Sequence, residues 1–353
     1  MTDDPAASLD IEQPGVLDGW LRQHGHLAPT EKPQYAVLAG GVSNRTVLVS
    51  RAEGPSWVVK QALAKLRVAV DWFSSPARIH READGLRWLI QFAPDGTITP
   101  LVFEDTADHI VGMLAVPQPH ENWKTQLLRG EVDPDAIRQF AEIGAAIHAR
   151  STLRLAELRG PFGDRGFFES LRVEPYYRYT ASQVPESAGF YAALIAEMVT
   201  RLETLVHGDF SPKNVLVHDG RLILLDHEVI HIGDPGFDLG FALTHLLSKA
   251  HHMPEQRSQF LAAAEQFWTT YQAQANAIAP GRWLDGLEAR AVRHTLGCLL
   301  ARVRGRSPLE YLNQTERERQ ARIVCALMAN PPATIGRLAA TFGDGIEQDE
   351  QHG

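Results

Sequence analysis

Residues 206–228 read VHGDFSPKNVLVHDGRLILLDHE, and this stretch restricts the fold more than any other in the chain. Two apolar runs flank Asp219 and Gly220, and an Asp-Gly pair between alternating strands favours a type I′ hairpin turn. Antiparallel pairing brings the outer strand ends together. Asn214 then opens the first strand beside Asp226, which closes the second, and Asp209 lies on the loop feeding that same end. Glu228 shares the face of Asp226 if the chain stays extended there. His207 is expected to bond the loop backbone as a structural residue.

An Asp, an Asn and a second Asp gathered at one hairpin end form a set of hard oxygen donors. Such a set suits Mg²⁺, which takes one or two side chains plus substrate phosphates. A remaining carboxylate can receive the proton of a hydroxyl nucleophile. Asp209 is that carboxylate, and Asn214, Asp226 and Glu228 are the expected metal ligands. Phosphoryl transfer from a nucleotide needs both functions together, and kinase catalytic loops use the same Asp-to-Asn spacing with a further metal-binding Asp downstream.

The first third can supply the rest of a nucleotide site. LAGGVSNRTV is a glycine turn between strands, able to place backbone N–H groups of Gly40, Gly41, Ser43 and Asn44 near phosphates. WVVK reads as a strand ending in Lys60. SPARIHREADGLRWLIQF reads as a helix with Ser75 as N-cap, Pro76 at its first position, and Ile79, Ala83, Leu86 and Ile90 on its inner face. Glu82 falls on that inner face, where a carboxylate needs a partner. Lys60 is the natural one, with Arg78 or Arg81 as the surface alternative.

The remainder is read more coarsely. The strand HIVGMLAV ends in PQP, a lobe boundary, and helices fit DPDAIRQFAEIGAAIHAR, AGFYAALIAEMVTRLETL and PGFDLGFALTHLLSKA. The expected division is an N-terminal extension with a helix (1–34), a strand-rich lobe (35–116) and a mainly helical lobe (117–353). Residues 1 to about 12 and the tail GIEQDEQHG are polar and expected to fray. A net charge of −9 argues against sequence-independent nucleic-acid binding, which rests on neutralising phosphates. The opening residues carry no apolar leader, no run is long enough to span a bilayer, and two cysteines build no disulfide framework. A cytoplasmic protein that binds neither nucleic acid nor membrane is the expectation. His245, His251 and His252 match no zinc spacing. Trp123, Tyr176, Tyr177, Arg178, Arg302 and Arg304 are acceptor-pocket candidates, for which packing or a solvated face is an equal explanation.

With these residues in view, the chain resembles the aminoglycoside phosphotransferase and choline kinase superfamily. HGDFSPKN and LLDHE are similar to its catalytic loop and metal motif, and GDPGFDLG to the segment that follows. A narrower likeness, to 5-methylthioribose kinases, rests on VVKQALAKLRV, ARIHREADGLRWL, ENWKTQLLRGEVDP and DHE; Asn214 stands where those enzymes often have a small hydroxyl residue. The resemblance implies an α+β, protein-kinase-like bilobal fold, with a small β-rich lobe and a larger helical one. It implies ATP and Mg²⁺ as cofactors and a small-molecule hydroxyl acceptor. Asp209 would take the hydroxyl proton. Lys60, oriented by Glu82, would contact the phosphates, and the stretch around Met113 to Val116 would hold adenine. Asp238 would cap the next helix and brace the catalytic loop.

Three readings compete. The first is a kinase of a methylthioribose-like sugar, the second a kinase of an aminoglycoside or amino alcohol. The third is a non-catalytic nucleotide-binding scaffold, which the presence of Lys60, Asp209, Asn214 and Asp226 disfavours. DHEVIHIGD carries no DFG and no APE follows it, which sets the chain apart from protein kinases.

Overall fold

The computed structural model describes residues 9–38, 43–67 and 72–352. The first lobe is built on a five-stranded antiparallel sheet of β1 (Gln34–Val37), β2 (Asn44–Ser50), β3 (Trp57–Ala62), β4 (Leu101–Asp105) and β5 (Ile110–Leu114), in the order β1-β2-β3-β5-β4. Lys60 sits opposite Thr46 on β2 and Val111 on β5, in the middle of the sheet. Strand alternation then sorts β3 by face. Trp57 and Val59 join the cluster around helix α1 (Pro14–Gln23), while Ala62 and Val58 pack into the large core. Lys60 points to that second side, toward helix α2 (Arg78–Phe92).

Helix α2 begins later than its sequence suggests. Ser75 does not cap it in the usual way, although its Oγ accepts from Ala77 N at 3.3 Å. Ile79, Ala83, Leu86 and Leu89 are buried, but Ile90 is half exposed at 49%. Glu82 is fully buried on the stripe.

Residues 9–12 are docked rather than frayed, while residues 1–8 lie outside the described residues. Ile11 is fully buried, Asp10 pairs with Arg45 at 2.9 Å, Glu12 pairs with Arg67, and Leu9 O accepts from Gln61. The tail is likewise the end of a helix, Ile335–His352, tied down by Asp349 to Arg319 and Glu350 to Arg257. For residues 9–12 and for the tail the expectation of fraying fails because acidic residues there are matched by cations on neighbouring elements.

The large lobe is helical. Pro235–His252 packs against Leu287–Arg304, and Arg257–Ile278 against Pro134–Thr152, whose N-cap is Asp133. The expected helix 188–205 stops at Thr200. Its last residues instead form strand β7 (Thr204–Val206), paired with β10 (His231–Gly233). The hairpin is as expected: β8 (Val215–His218) pairs with β9 (Arg221–Leu224), and Asp219 and Gly220 both have positive φ. The short β6 (Glu121–Asn122) completes this sheet. Among the described residues, no helix is long and apolar enough to cross a membrane.

Candidate active site

The hairpin's open end lies in a cleft of about 680 Å³ between the lobes. Leu225 N donates to Asn214 O at 2.8 Å, so the pairing runs to the last residue before Asp226. Asp226 itself has φ of 68°, a left-handed conformation uncommon outside glycine and found where a site fixes the backbone. The chain past it turns, so it does not stay extended, yet Asp226 and Glu228 both line the cleft.

Asp209 is held on two sides. Asn214 Nδ2 donates to its Oδ2 at 2.7 Å and to its carbonyl at 3.0 Å, and Arg172 Nη2 pairs with the same Oδ2 at 2.8 Å. Asp209 Oδ1 and Asn214 Oδ1 make no hydrogen bond among the described residues. The loop backbone is fixed from below by Asp238, whose carboxylate accepts from His207 N at 2.7 Å and Gly208 N at 2.8 Å. Asp238 does not cap its helix: Asp234 does, accepting from Gly236 N. His207 is fully buried; its Nδ1 accepts from Asp209 N, and burial pushes its pKa down. It therefore braces the loop, as its sequence context suggests.

Lys60 Nζ contacts Glu82 Oε1 at 2.6 Å and Asp226 Oδ1 at 3.2 Å. Burial pushes the Glu82 carboxyl up to about 7 against the opposing pull of Lys60. Burial also opposes the charge of Asp226, but Lys60 and Lys213 hold its carboxyl well below the usual range. Glu228 is pushed up, first by burial and then by Asp226. Its neutralising partner is the fully buried Arg78, at 3.1 Å, and Asn44 Nδ2 donates to it at 3.2 Å. Arg78 thus serves Glu228, and Arg81 bonds Pro161 O; neither takes Glu82.

Ser43 and Asn44 line the cleft, while Gly40 and Gly41 lie outside the described residues. Met113 and Val116 are buried at the passage between the lobes and are not part of the cleft lining. Of the acceptor candidates, Tyr176 and Arg302 line the cleft. Trp123 packs on Phe140, Tyr177 bonds His294, Arg178 pairs with Glu169 on the surface, and Arg304 borders a different cavity. The three histidines diverge: His245 reaches the cleft, His251 bonds Gln320 and His252 bonds Glu316.

Arg172 is the residue that sequence reasoning missed. It sits in a π-helix, Glu169–Arg178, with Pro175 inside it. Such wide turns are rare and cluster at functional sites. The proline within an otherwise helical run was the available signal.

The family model described as Phosphotransferase enzyme family matches residues 34–278. The chain belongs to that family. It is a phosphotransferase of the small-molecule kinase kind. The methylthioribose kinase of Yersinia enterocolitica is 27% identical over 308 residues, covering 77% of each chain. That of Citrobacter koseri is 26% identical over 325 residues, covering 75% of this chain and 79% of its own. Among solved structures, an amicoumacin kinase in complex with AMP-PNP, Ca²⁺ and Ami superimposes with a TM-score of 0.57 at 16% identity, covering 90% of this chain and 94% of that one. A choline kinase of Cryptosporidium parvum gives 0.51 at 13% identity, covering 97% and 96%. These two share the bilobal kinase-like fold.

Proposed function

We propose that the chain transfers the γ-phosphate of ATP to a hydroxyl of a small, sugar-like acceptor, with 5-methylthioribose as the reference compound. The observation that carries this reading is the convergence of Asp209, Asn214, Asp226 and the Lys60–Glu82 pair on one cleft. Asp209 offers Oδ1 to the acceptor hydroxyl while Arg172 and Asn214 hold Oδ2. The acceptor oxygen bonds to the γ-phosphorus, the bond to the β,γ-bridging oxygen breaks, ADP leaves, and the hydroxyl proton passes to Asp209. Lys60, held by Glu82, orients the nucleotide phosphates, and Ser43 and Asn44 lie on their side of the cleft. Met113 to Val116 would serve adenine through its backbone.

The donors present fit a hard divalent cation. Asp226 stays ionised, Asn214 keeps Oδ1 uncommitted, and Glu228 is raised by burial and then by its like-charged neighbour, a repulsion that a cation relieves. Mg²⁺ bound there would neutralise charge on the phosphates. The relatives named methylthioribose kinase support the sugar acceptor. A polycationic acceptor is less well served, because each acid of the lining is engaged by a cation: Asp209 by Arg172, Asp226 by Lys60, Glu228 by Arg78. The test is ATP consumption over sugars, amino alcohols and aminoglycosides at low and high salt. Sugar turnover that is insensitive to salt supports the reading. Salt-sensitive turnover of aminoglycosides alone would replace the acceptor and keep the kinase.

A further inference from the structure

One wall of the cleft carries cations that neither the phosphates of a nucleotide nor the transfer step calls for. Arg302, at the end of the helix Leu287–Arg304, is only 8% exposed and lines the cleft. Its hydrogen bonds all run through Nη1, to Tyr176 Oη at 2.9 Å, Ser307 O at 2.6 Å and Ser307 Oγ at 3.0 Å. Its Nε is buried without a partner, and no carboxylate pairs with the guanidinium among the described residues. A buried, uncompensated arginine is costly and marks a site where an anion completes it.

The surroundings add to this. The ring of Tyr176 lies 5.7 Å from the Arg302 guanidinium and 5.9 Å from that of Arg172. Arg302 therefore stands one aromatic ring away from the Arg172–Asp209 pair. Arg306 and Lys124 line the same wall, and each already has a carboxylate, Glu174 and Glu310 respectively. His245 and Lys249 beneath are both pushed down, first by burial and then by neighbouring cations that include Arg302 and Lys124.

We infer that the acceptor carries an anionic group, a phosphate or a carboxylate, seated against Arg302 beside Tyr176 while its hydroxyl faces Asp209. This rests on the kinase reading above and replaces its neutral reference sugar with an acidic sugar or hydroxy acid. A planar guanidinium binds either anion in bidentate fashion. The reaction itself is unchanged: the anionic group is a handle and exchanges no atoms.

The test uses the full-length protein saturated with Mg·AMP-PNP, so that the nucleotide's own phosphate sites are filled. Inorganic phosphate and acetate are titrated separately by calorimetry. Saturable binding of one of them, weakened about ten- to a hundredfold in Arg302→Gln and less in Arg302→Lys, is the expected result; the arm that binds says which anion is read. In parallel, ribose is compared with ribose 5-phosphate, and glycerol with glycerate, as ATP-consuming acceptors. The acidic member should be preferred, with a preference that shrinks in Arg302→Gln through KM. Binding of neither anion, or an equal kcat loss on neutral and acidic acceptors, would overturn the inference and leave the kinase standing. Failure to bind Mg·AMP-PNP at all would instead remove the kinase reading. Should Arg302→Gln not fold, the wild-type titration and the half-exposed Arg306→Gln decide.

Discussion

Lys249→Met should stabilise this protein, although it removes an ionisable group from beneath a wall of its cleft. Lys249 is fully buried, and among the described residues its ammonium finds only His245 O at 3.3 Å and the face of Tyr311 at 5.4 Å. Burial, with Lys124 and Arg302 adding repulsion, pushes its pKa from 10.5 down to about 7. A base with a depressed folded-state pKa binds fewer protons folded than unfolded between those two values. Its contribution is therefore most favourable above the unfolded pKa and is lost as pH falls toward 7. Each unit corresponds to about 1.4 kcal/mol, so the lysine costs on the order of 4 kcal/mol at pH 7. Methionine has similar length and no charge. The variant should gain up to that amount near pH 7, a rise of several degrees in Tm, with the gain shrinking as pH approaches 10.5. Thermal unfolding of both proteins from pH 7 to 10 measures this. An unchanged or lower Tm at pH 7, or a gain independent of pH, would refute the placement of an uncompensated lysine under the cleft.

Other outcomes follow from the same geometry. Asp209→Asn should lower kcat by about a hundred- to ten-thousandfold with little change in nucleotide affinity, because the residue serves the acceptor; steady-state kinetics and calorimetry separate the two. Asp226→Ala should abolish Mg²⁺-dependent nucleotide binding, and Glu228→Gln should weaken it less; unchanged Mg·ATP binding in the first would remove Asp226 from the metal site. Gly85→Ala should destabilise by roughly 1–3 kcal/mol, since a Cβ there would meet His227 Cβ at 2.7 Å and push α2 away from the DHE segment. Urea unfolding checks that, and wild-type stability would contradict the close packing.

The legible parts of the fold were those whose cause is local. The hairpin followed from Asp219 and Gly220, whose positive φ values the turn requires. The inward Glu82 followed from its position between Ile79 and Leu86, and its partner Lys60 from the need to compensate it. What escaped depended on distant groups. Arg172 meets Asp209 only because a π-helix swings it under the loop, and no periodicity announces a wider turn. Asp238 and Asp234 are both plausible caps in DPGFD; which one caps is settled by where strand β7 brings the loop N–H groups. The docked residues 9–12 and the ordered tail escaped because Arg45, Arg67, Arg319 and Arg257 are remote in sequence from the acids they hold. Ile90 is a narrower miss: its angle on the helix lies within the stripe, yet Leu89 and Phe92 are buried there and it is not.

The proposed transfer of phosphate from ATP to an acceptor hydroxyl, by Asp209 and the cation-binding hairpin end, is open to direct measurement. The direct measurement follows ADP and phosphate ester together by ³¹P NMR, with Mg·ATP and a mixture of neutral and acidic sugars, for the wild type and Asp209→Asn. One phosphate ester formed per ADP by the wild type, and none on the same timescale by Asp209→Asn, is the predicted result. Equal ester formation by both proteins would contradict the account.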